Sequence, residues 1–234
     1  MDVNGVVLVV GAGNGIGLET ALTFAERGAR ANRTIAISVD VRDRESVKVM
    51  VEEVKKQFGR LDYAVNSAGV KAETSSVNET EYDLLHDVNA KGILHCLQEE
   101  ISVMKGQEPL YVEGRSGRRS VGPGSIINVT SLSAVIGTAK SITYTASKFA
   151  ARGIVNGLRI NEVCPGFTDT PMLRRGIEKQ PGIGEILNRS MPLGRIATPE
   201  EIANVVHFLA SPGASFVNGQ SLVVDSGVSV NVLA

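Results

Sequence analysis

The sequence predicts an α/β domain: a doubly wound parallel sheet between two layers of helices, α/β/α, in one domain over residues 1–234. Three observations predict it. Short runs rich in Val and Ile are apolar at consecutive positions, which suits strands buried on both faces. Amphipathic stretches fall between them, and such β–α alternation builds right-handed crossovers. The length of 234 residues fits a single domain, and no repeat or linker divides it.

The elements follow in order. Val6–Val10 predicts the first strand. The glycine-rich "GAGNGIG", Gly11 to Gly17, opens a helix over Gly15–Arg27. Ile35–Val39 predicts a strand, Arg44–Phe58 a helix, Tyr63–Val65 a strand and Glu79–Met104 a long helix. Lys105–Pro123, "KGQEPLYVEGRSGRRSVGP", is polar and rich in breakers, so it predicts a long surface loop. Its basic cluster, Gly114 to Ser120, reads as solvated. Ile126–Val129 predicts a strand, Thr143–Gly157 a helix and Ile160–Val163 a strand. "TPEEIANVVHFLAS" carries clear start signals for a helix over Pro199–Leu209: Thr198 as N-cap, Pro199 first, acids in the first turn. Leu222–Val224 predicts the last strand.

Composition narrows the classes. A net charge of −1 gives no one-signed field for nucleic acid or an anionic membrane. Two cysteines, Cys96 and Cys164, build no disulfide framework. Adjacent His95 and Cys96 diverge on a helix, so no metal site is expected. No apolar run reaches the ~18 residues of a membrane span. No basic segment precedes the first apolar run, so no signal peptide is read there. The expectation is a soluble, cytoplasmic protein.

Two motifs carry chemistry. The glycine loop sits between strand and helix, the context that separates a dinucleotide fingerprint from a chance cluster. Gly11 allows the tight turn. Gly15 and Gly17 allow close backbone approach, with a diphosphate at the positive helix end. The expected sheet is therefore Rossmann-like. The second motif is "YTASK", which stacks Tyr144 and Lys148 at i and i+4 on one helix face. A phenol has a pKa of ~10 and is a poor base at neutral pH. A neighbouring ammonium favours the phenolate, and such a tyrosine can take a proton from an alcohol or return one to a carbonyl.

With both motifs in view, the chain resembles the classical short-chain dehydrogenase/reductase family, almost end to end. "NSAG", Asn66 to Gly69, is similar to the family's NNAG. "DVNAKG" contains Asn89, matching the Asn of its active-site tetrad. "GSIINVTS" ends in Ser131, thirteen residues before Tyr144, the family's spacing for its catalytic Ser. "CPGFTDTPM" resembles the loop that covers the nicotinamide end, and "GQSLVVDSG" the last strand. Three departures are visible: Val10 for the usual Thr, Asn–Ser for Asn–Asn, and "DSG" for DGG.

The resemblance implies an NAD(P)-dependent oxidoreductase interconverting a secondary alcohol and a ketone. Tyr144 would be the general acid/base. Lys148 would lower its pKa and hold the nicotinamide ribose, Ser131 would donate to the substrate oxygen, and Asn89 would hold a water leading to solvent. Cofactor contacts are expected at Gly11, Asn14, Gly15, Ile16, Gly17, Asp40, Val41, Asn66, Ala68, Gly69, Tyr144, Lys148, Pro165, Gly166, Phe167, Thr168 and Thr170. Ser133, Met172 and Leu173 are the substrate candidates. The segment Thr170 to Arg195 occupies the place of the family's lid. Its Met172, Leu173, Ile177, Ile183, Ile186, Leu187 and Met191 suggest an apolar wall and a hydrophobic substrate, such as a terpenoid, steroid or polyketide. A homotetramer or homodimer is implied by analogy. Two rival readings remain: other chemistry on this fold (dehydration, isomerisation), or a non-catalytic cofactor-binding partner.

Asp40 poses a problem. It lies 23 residues past Gly17, near the ~20 expected of a ribose-binding acid. The family comparison instead places "ISVDVRD" as the third strand, whose Asp–Val pair flanks the adenine. The second strand and its helix are then missing between Ala31 and Asn32. A similar shortfall falls near Gly157 and Leu158. A true deletion at the first place would expose two buried sheet edges, so omitted residues rather than a real loss are expected. The residue that separates NAD from NADP is not visible; Asn14, where NADP users often carry a basic residue, favours NAD.

Overall fold

The computed structural model describes residues 3–29, 34–71, 79–137, 141–149, 157–180 and 182–230. Its centre is a parallel five-stranded sheet of order β1-β2-β5-β6-β7. The strands are β1 (Val7–Val10), β2 (Tyr63–Asn66), β5 (Ser125–Val129), β6 (Arg159–Pro165) and β7 (Ser221–Val224). The helices are α1 (Gly15–Glu26), α2 (Arg44–Phe58), α3 (Glu79–His86), α4 (Gly92–Lys105), α5 (Ile142–Phe149), α6 (Pro171–Glu178), α7 (Ile183–Ser190) and α8 (Pro199–Ala210).

Strand side chains alternate between two cores, as a period of two requires. Leu8, Val10, Ile126 and Ile160 pack with Val47, Met50, Val51 and Val54 of α2 and with Cys96 and Met104 of α4. Val65, Ile127, Val129 and Val163 pack on the other face with Phe24 of α1 and with Ile202, Val206 and Leu209 of α8. Consecutive apolar residues in each strand are thus explained by two covered faces. Thr198 and Glu201 form a reciprocal capping box at the start of α8. Buried Arg159 closes the other end of α8, donating to the carbonyls of Leu209, Ala210 and Ala214 at 2.7–3.0 Å.

Three expectations change. Ile35–Val39 is extended but unpaired: only Ile37 and Val39 pack on the core, and no neighbouring strand among the described residues offers them a ladder. Lys105–Pro123 is not a plain loop. It holds an antiparallel hairpin, β3 (Leu110–Gly114) and β4 (Gly117–Gly122), turned by Gly117 at φ +95°. Glu113 faces Arg118 across it, and that guanidinium stacks 4.3 Å from the Tyr111 ring centroid. Counting breakers hid this alternating pattern. The helix expected over Glu79–Met104 is interrupted by a π-turn at Asp87–Lys91. The helix that carries Tyr144 is described only to Phe149, because residues 150–156 lie outside the described set. The first expected break, between Ala31 and Asn32, also falls outside it. At the second, Gly157 turns at φ +87° and Leu158 enters the core directly.

Candidate active site

A cavity of about 510 Å³ opens where β1, β2, β5 and β6 end, the place where parallel α/β sheets hold ligands. Each wall grows from one strand. After β1 comes the glycine loop. Gly11 has φ +85°, and a Cβ there would stand 2.5 Å from the backbone nitrogen of Ala68. A Cβ on Gly17 would strike the carbonyl of Gly11. Glycine is thus demanded at both places by close backbone approach. Gly13 faces open space, with nothing within 4 Å of where its Cβ would be. The loop delivers the N-terminus of α1 to the cavity, with no acidic residue in its first turn. Such a terminus attracts an anion.

After β5 come Thr130, Ser131 and the short 3-10 turn Leu132–Ala134, which Ser131 caps by accepting from the Ser133 amide at 3.1 Å. The Ser131 side chain also stands near the phenol of Tyr144 and acts to lower its pKa. Lys148, one turn along α5, is buried, with its Nζ 5.7 Å from the Tyr144 ring centroid. Burial pushes the Tyr144 pKa above its usual value. Burial likewise depresses Lys148 to about 8, opposed by the charge of Glu162 and by Cys164. Burial outweighs the opposing effect of Ser131, so Tyr144 rests protonated at neutral pH.

Asn89 lies in the π-turn, a distortion common at functional sites. Its side chain accepts from the Val70 amide and donates to the Val70 carbonyl, both at 2.9 Å, and donates to Ser147 at 3.0 Å. The residues around Gly69 join the two groups: a Cβ there would be 3.0 Å from Lys148 Nζ and 3.2 Å from Asn89 Oδ1.

After β6, Pro165 to Thr168 and Thr170 form the last wall. Thr170 caps α6 and stands over the glycine loop, its Cγ2 3.3 Å from where a Gly15 Cβ would lie. Gly166 packs so tightly on Asp225 that a Cβ would come within 2.8 Å of it. Of the expected apolar lid, only Met172 and Leu173 line the cavity. Met191 turns into the interior and Ile186 is exposed.

The cavity thus gathers Gly11, Asn14, Gly15, Ile16, Gly17, Ala68, Gly69, Ser131, Ser133, Tyr144, Lys148, Pro165–Thr168, Thr170, Met172 and Leu173. It does not gather Asp40, Val41 or Asn66, nor Asn89, which is fully buried behind the wall. Asp40 is exposed and held by Arg42 at 2.6 Å, which lowers its carboxyl to about 2. Val41 is buried against Gly92. Asn66 is buried below the floor, donating to Glu100 and Asn128. Ser67, Lys71, Leu132 and Ser141 line the cavity although none of them was a candidate site residue. Their nearness in sequence to "NSAG", Ser131 and Tyr144 was the available signal. Among the described residues, two lysines and no carboxylate line this space, a balance suited to an anionic ligand.

A family model described as enoyl-(acyl carrier protein) reductase matches residues 29–229. A short-chain dehydrogenase of Aspergillus ruber is 34% identical over 273 aligned positions, covering 100% of both chains. This chain belongs to the short-chain dehydrogenase/reductase family. It is a nicotinamide-dependent oxidoreductase of the alcohol–ketone type. A 3alpha-hydroxysteroid dehydrogenase of Mediterraneibacter gnavus is 31% identical, covering 95% of this chain and 96% of its own. The ligand-free aldohexose dehydrogenase of Thermoplasma acidophilum superposes with TM-score 0.85 at 28% identity, covering 99% and 96%. The alignment with the Aspergillus enzyme is longer than this chain of 234 residues, so that relative carries positions with no counterpart here. Among the described residues no helix is long and apolar enough to cross a membrane.

Proposed function

We propose that this short-chain dehydrogenase/reductase interconverts a secondary alcohol and a ketone on a hydrophobic small molecule, with Tyr144 as general acid/base. The observation that carries this is the gathering of Ser131, Tyr144 and buried Lys148 on the wall of one cavity, with Lys148 Nζ 5.7 Å from the Tyr144 ring centroid. A nicotinamide dinucleotide fits these residues: open Gly13 and the start of α1 suit its diphosphate, Tyr144 and Lys148 its ribose, and Pro165–Thr170 its nicotinamide end. When bound, it supplies or accepts the hydride.

The chain's own groups do the rest. Ser131 donates to the substrate oxygen and fixes its place. A protonated Tyr144 gives its proton to that oxygen as the carbonyl becomes an alcohol, and the phenolate left behind is balanced by the Lys148 ammonium. Lys148 then returns a proton to Tyr144, and Asn89, at the same corner, holds the route to solvent. A tyrosine that rests protonated favours ketone reduction at neutral pH. Met172, Leu173 and Leu132 exclude water and favour a hydrophobic substrate. The relative named for a hydroxysteroid supports that class. We favour NAD, because uncharged Asn14 lines the cavity. Exposed Leu94 on α4 and Ile142 and Phe149 on α5 support a homodimer or homotetramer through those helices. We also infer that the natural protein carries further residues at two places, near 31/32 and 157/158; peptide mapping tests this, and a peptide running directly from Ala31 to Asn32 overturns it.

The deciding experiment is a titration of NADH and NADPH fluorescence, followed by turnover of hydroxysteroids and hydroxyterpenoids. Binding with oxidation or reduction of such compounds is expected. Binding without turnover of any alcohol or ketone overturns the reading.

A further inference from the structure

Beneath the cavity floor lies an acid that the chemistry above does not use. Glu100, on the inner side of α4, has no exposed surface. Its Oε2 accepts from Asn66 Nδ2 at 3.1 Å, and the same amide donates to Asn128 Oδ1 at 3.1 Å. Its Oε1 has no hydrogen-bond partner among the described residues. Burial raises its carboxyl to about 7. Cys96, one turn earlier, is buried too, and its thiol is pushed up by burial and by Glu100. The other neighbours on this side of α4, such as Met104, are apolar. Packing alone therefore favours an apolar residue at position 100.

Position shows what the contact does. Asn66 and Asn128 are direct partners across β2 and β5. Cavity wall follows each of them: Ser67–Gly69 after the first, Val129–Ser131 after the second. The Ser67–Gly69 loop is the tightest joint of the site. Ala68 abuts Gly11, and Gly69 abuts Lys148 and Asn89. A displacement of Asn66 reaches the glycine loop and the lysine together, because packed backbone leaves no slack to absorb it.

We propose that Glu100 is a positioning residue for cofactor binding: its carboxyl oxygen, through Asn66, seats the Ser67–Gly69 loop against the glycine loop and Lys148. The proposal rests on the nicotinamide-dependent reading of the cavity. It predicts a separation of KM from kcat. Glu100→Leu removes the acceptor and raises the dissociation constant and KM for NADH about tenfold, the equivalent of ~1.4 kcal/mol. Its kcat at saturating cofactor stays within about threefold of wild type, since Tyr144, Ser131 and Lys148 are untouched. Glu100→Gln keeps an oxygen for Asn66 and holds the dissociation constant within about twofold. Val51→Ala, a core truncation on α2 away from the cavity, lowers Tm without moving that constant, which separates positioning from general loosening.

The measurements are NADH fluorescence titration, steady-state kinetics and thermal melts on the full chain. Wild-type affinity in Glu100→Leu overturns the proposal, as does Glu100→Gln weakening as much as Glu100→Leu, or a fall in kcat at unchanged affinity. If Glu100→Leu does not fold, Asn66→Ala breaks the same contact from the other side, and unchanged affinity there overturns the proposal equally. A wild type that binds neither NADH nor NADPH overturns the parent reading as well. A wild type that binds while the variants bind alike overturns this one alone.

Discussion

The two ends of the site obey the same family pattern and meet different fates. At the Tyr144 end, each motif residue is fixed by several neighbours. Ser131 caps a turn beside the phenol, Asn89 clasps Val70 and Ser147, and Lys148 is buried. At the Asp40 end, the chain is extended without a ladder, and the acid faces Arg42 rather than the cavity. A motif therefore places a side chain only where packing and hydrogen bonds over-determine its backbone. The spacing from Gly17 to Asp40 satisfied a count, but the neighbouring strand that gives that count its meaning is not among the described residues.

The largest expected effect lies at the over-determined end. Tyr144→Phe keeps the ring that packs in α5 and removes the proton donor. Turnover should fall by about 10²–10⁴, the usual share of a general acid, while NADH affinity stays within about twofold. Single-turnover kinetics alongside fluorescence titration separates the two. Loss of less than about tenfold in turnover would assign proton transfer to another group and break the contrast between the ends.

The next effect concerns Glu100, midway between the ends. Its folded pKa of about 7 lies above the unfolded value near 4.5. For an acid with a raised folded pKa, stability is fully present below about pH 4.5 and is lost as pH rises through 7. The neutral acid is tolerated; the buried anion is not. Glu100→Gln removes that cost and should be more stable than wild type by about 3 kcal/mol above pH 8, with the difference vanishing near pH 4. Urea melts across pH 4–9 measure it. A gap that does not change with pH would show that Glu100 is not the titrating group.

Much of this was legible in the sequence. Continuous apolar runs gave both covered faces of the sheet, and the Ser131–Tyr144–Lys148 spacing picked out three residues that line one cavity. What escaped was set by contacts distant in sequence. The π-turn that aims Asn89 left no local mark in "DVNAKG". Glu100 was one charge in a helix. The hairpin at Leu110–Gly122 was masked by its own turn residues. "DSG" showed a departure but not its consequence: Ser226 sits at φ +62°, a conformation that favours glycine. Its hydroxyl accepts from the Leu193 amide at 3.0 Å, which offsets part of the strain and ties the last loop to the lid segment. Ser226→Gly relieves the strain and loses that bond, so a change of about 1 kcal/mol or less is expected, read by thermal melts.

The smallest expected effect tests the comparison most sharply. Asp40→Asn keeps the size of the side chain and removes its charge. The carboxylate is exposed, paired with Arg42 and off the cavity wall. NADH affinity should therefore shift by less than about twofold. A ribose-binding acid behaves otherwise: losing its bidentate hydrogen bonds costs about tenfold or more. Arg42→Ala distinguishes the two cases further. Freed of its partner, Asp40 would become available to a ligand, so affinity rising in Arg42→Ala and falling again in the Asp40→Asn/Arg42→Ala double variant would show that the ion pair masks a working contact. Unchanged affinity in all three would show that at this edge the counted position holds no ligand, and that cofactor binding in this chain rests on the glycine loop and the Tyr144 corner.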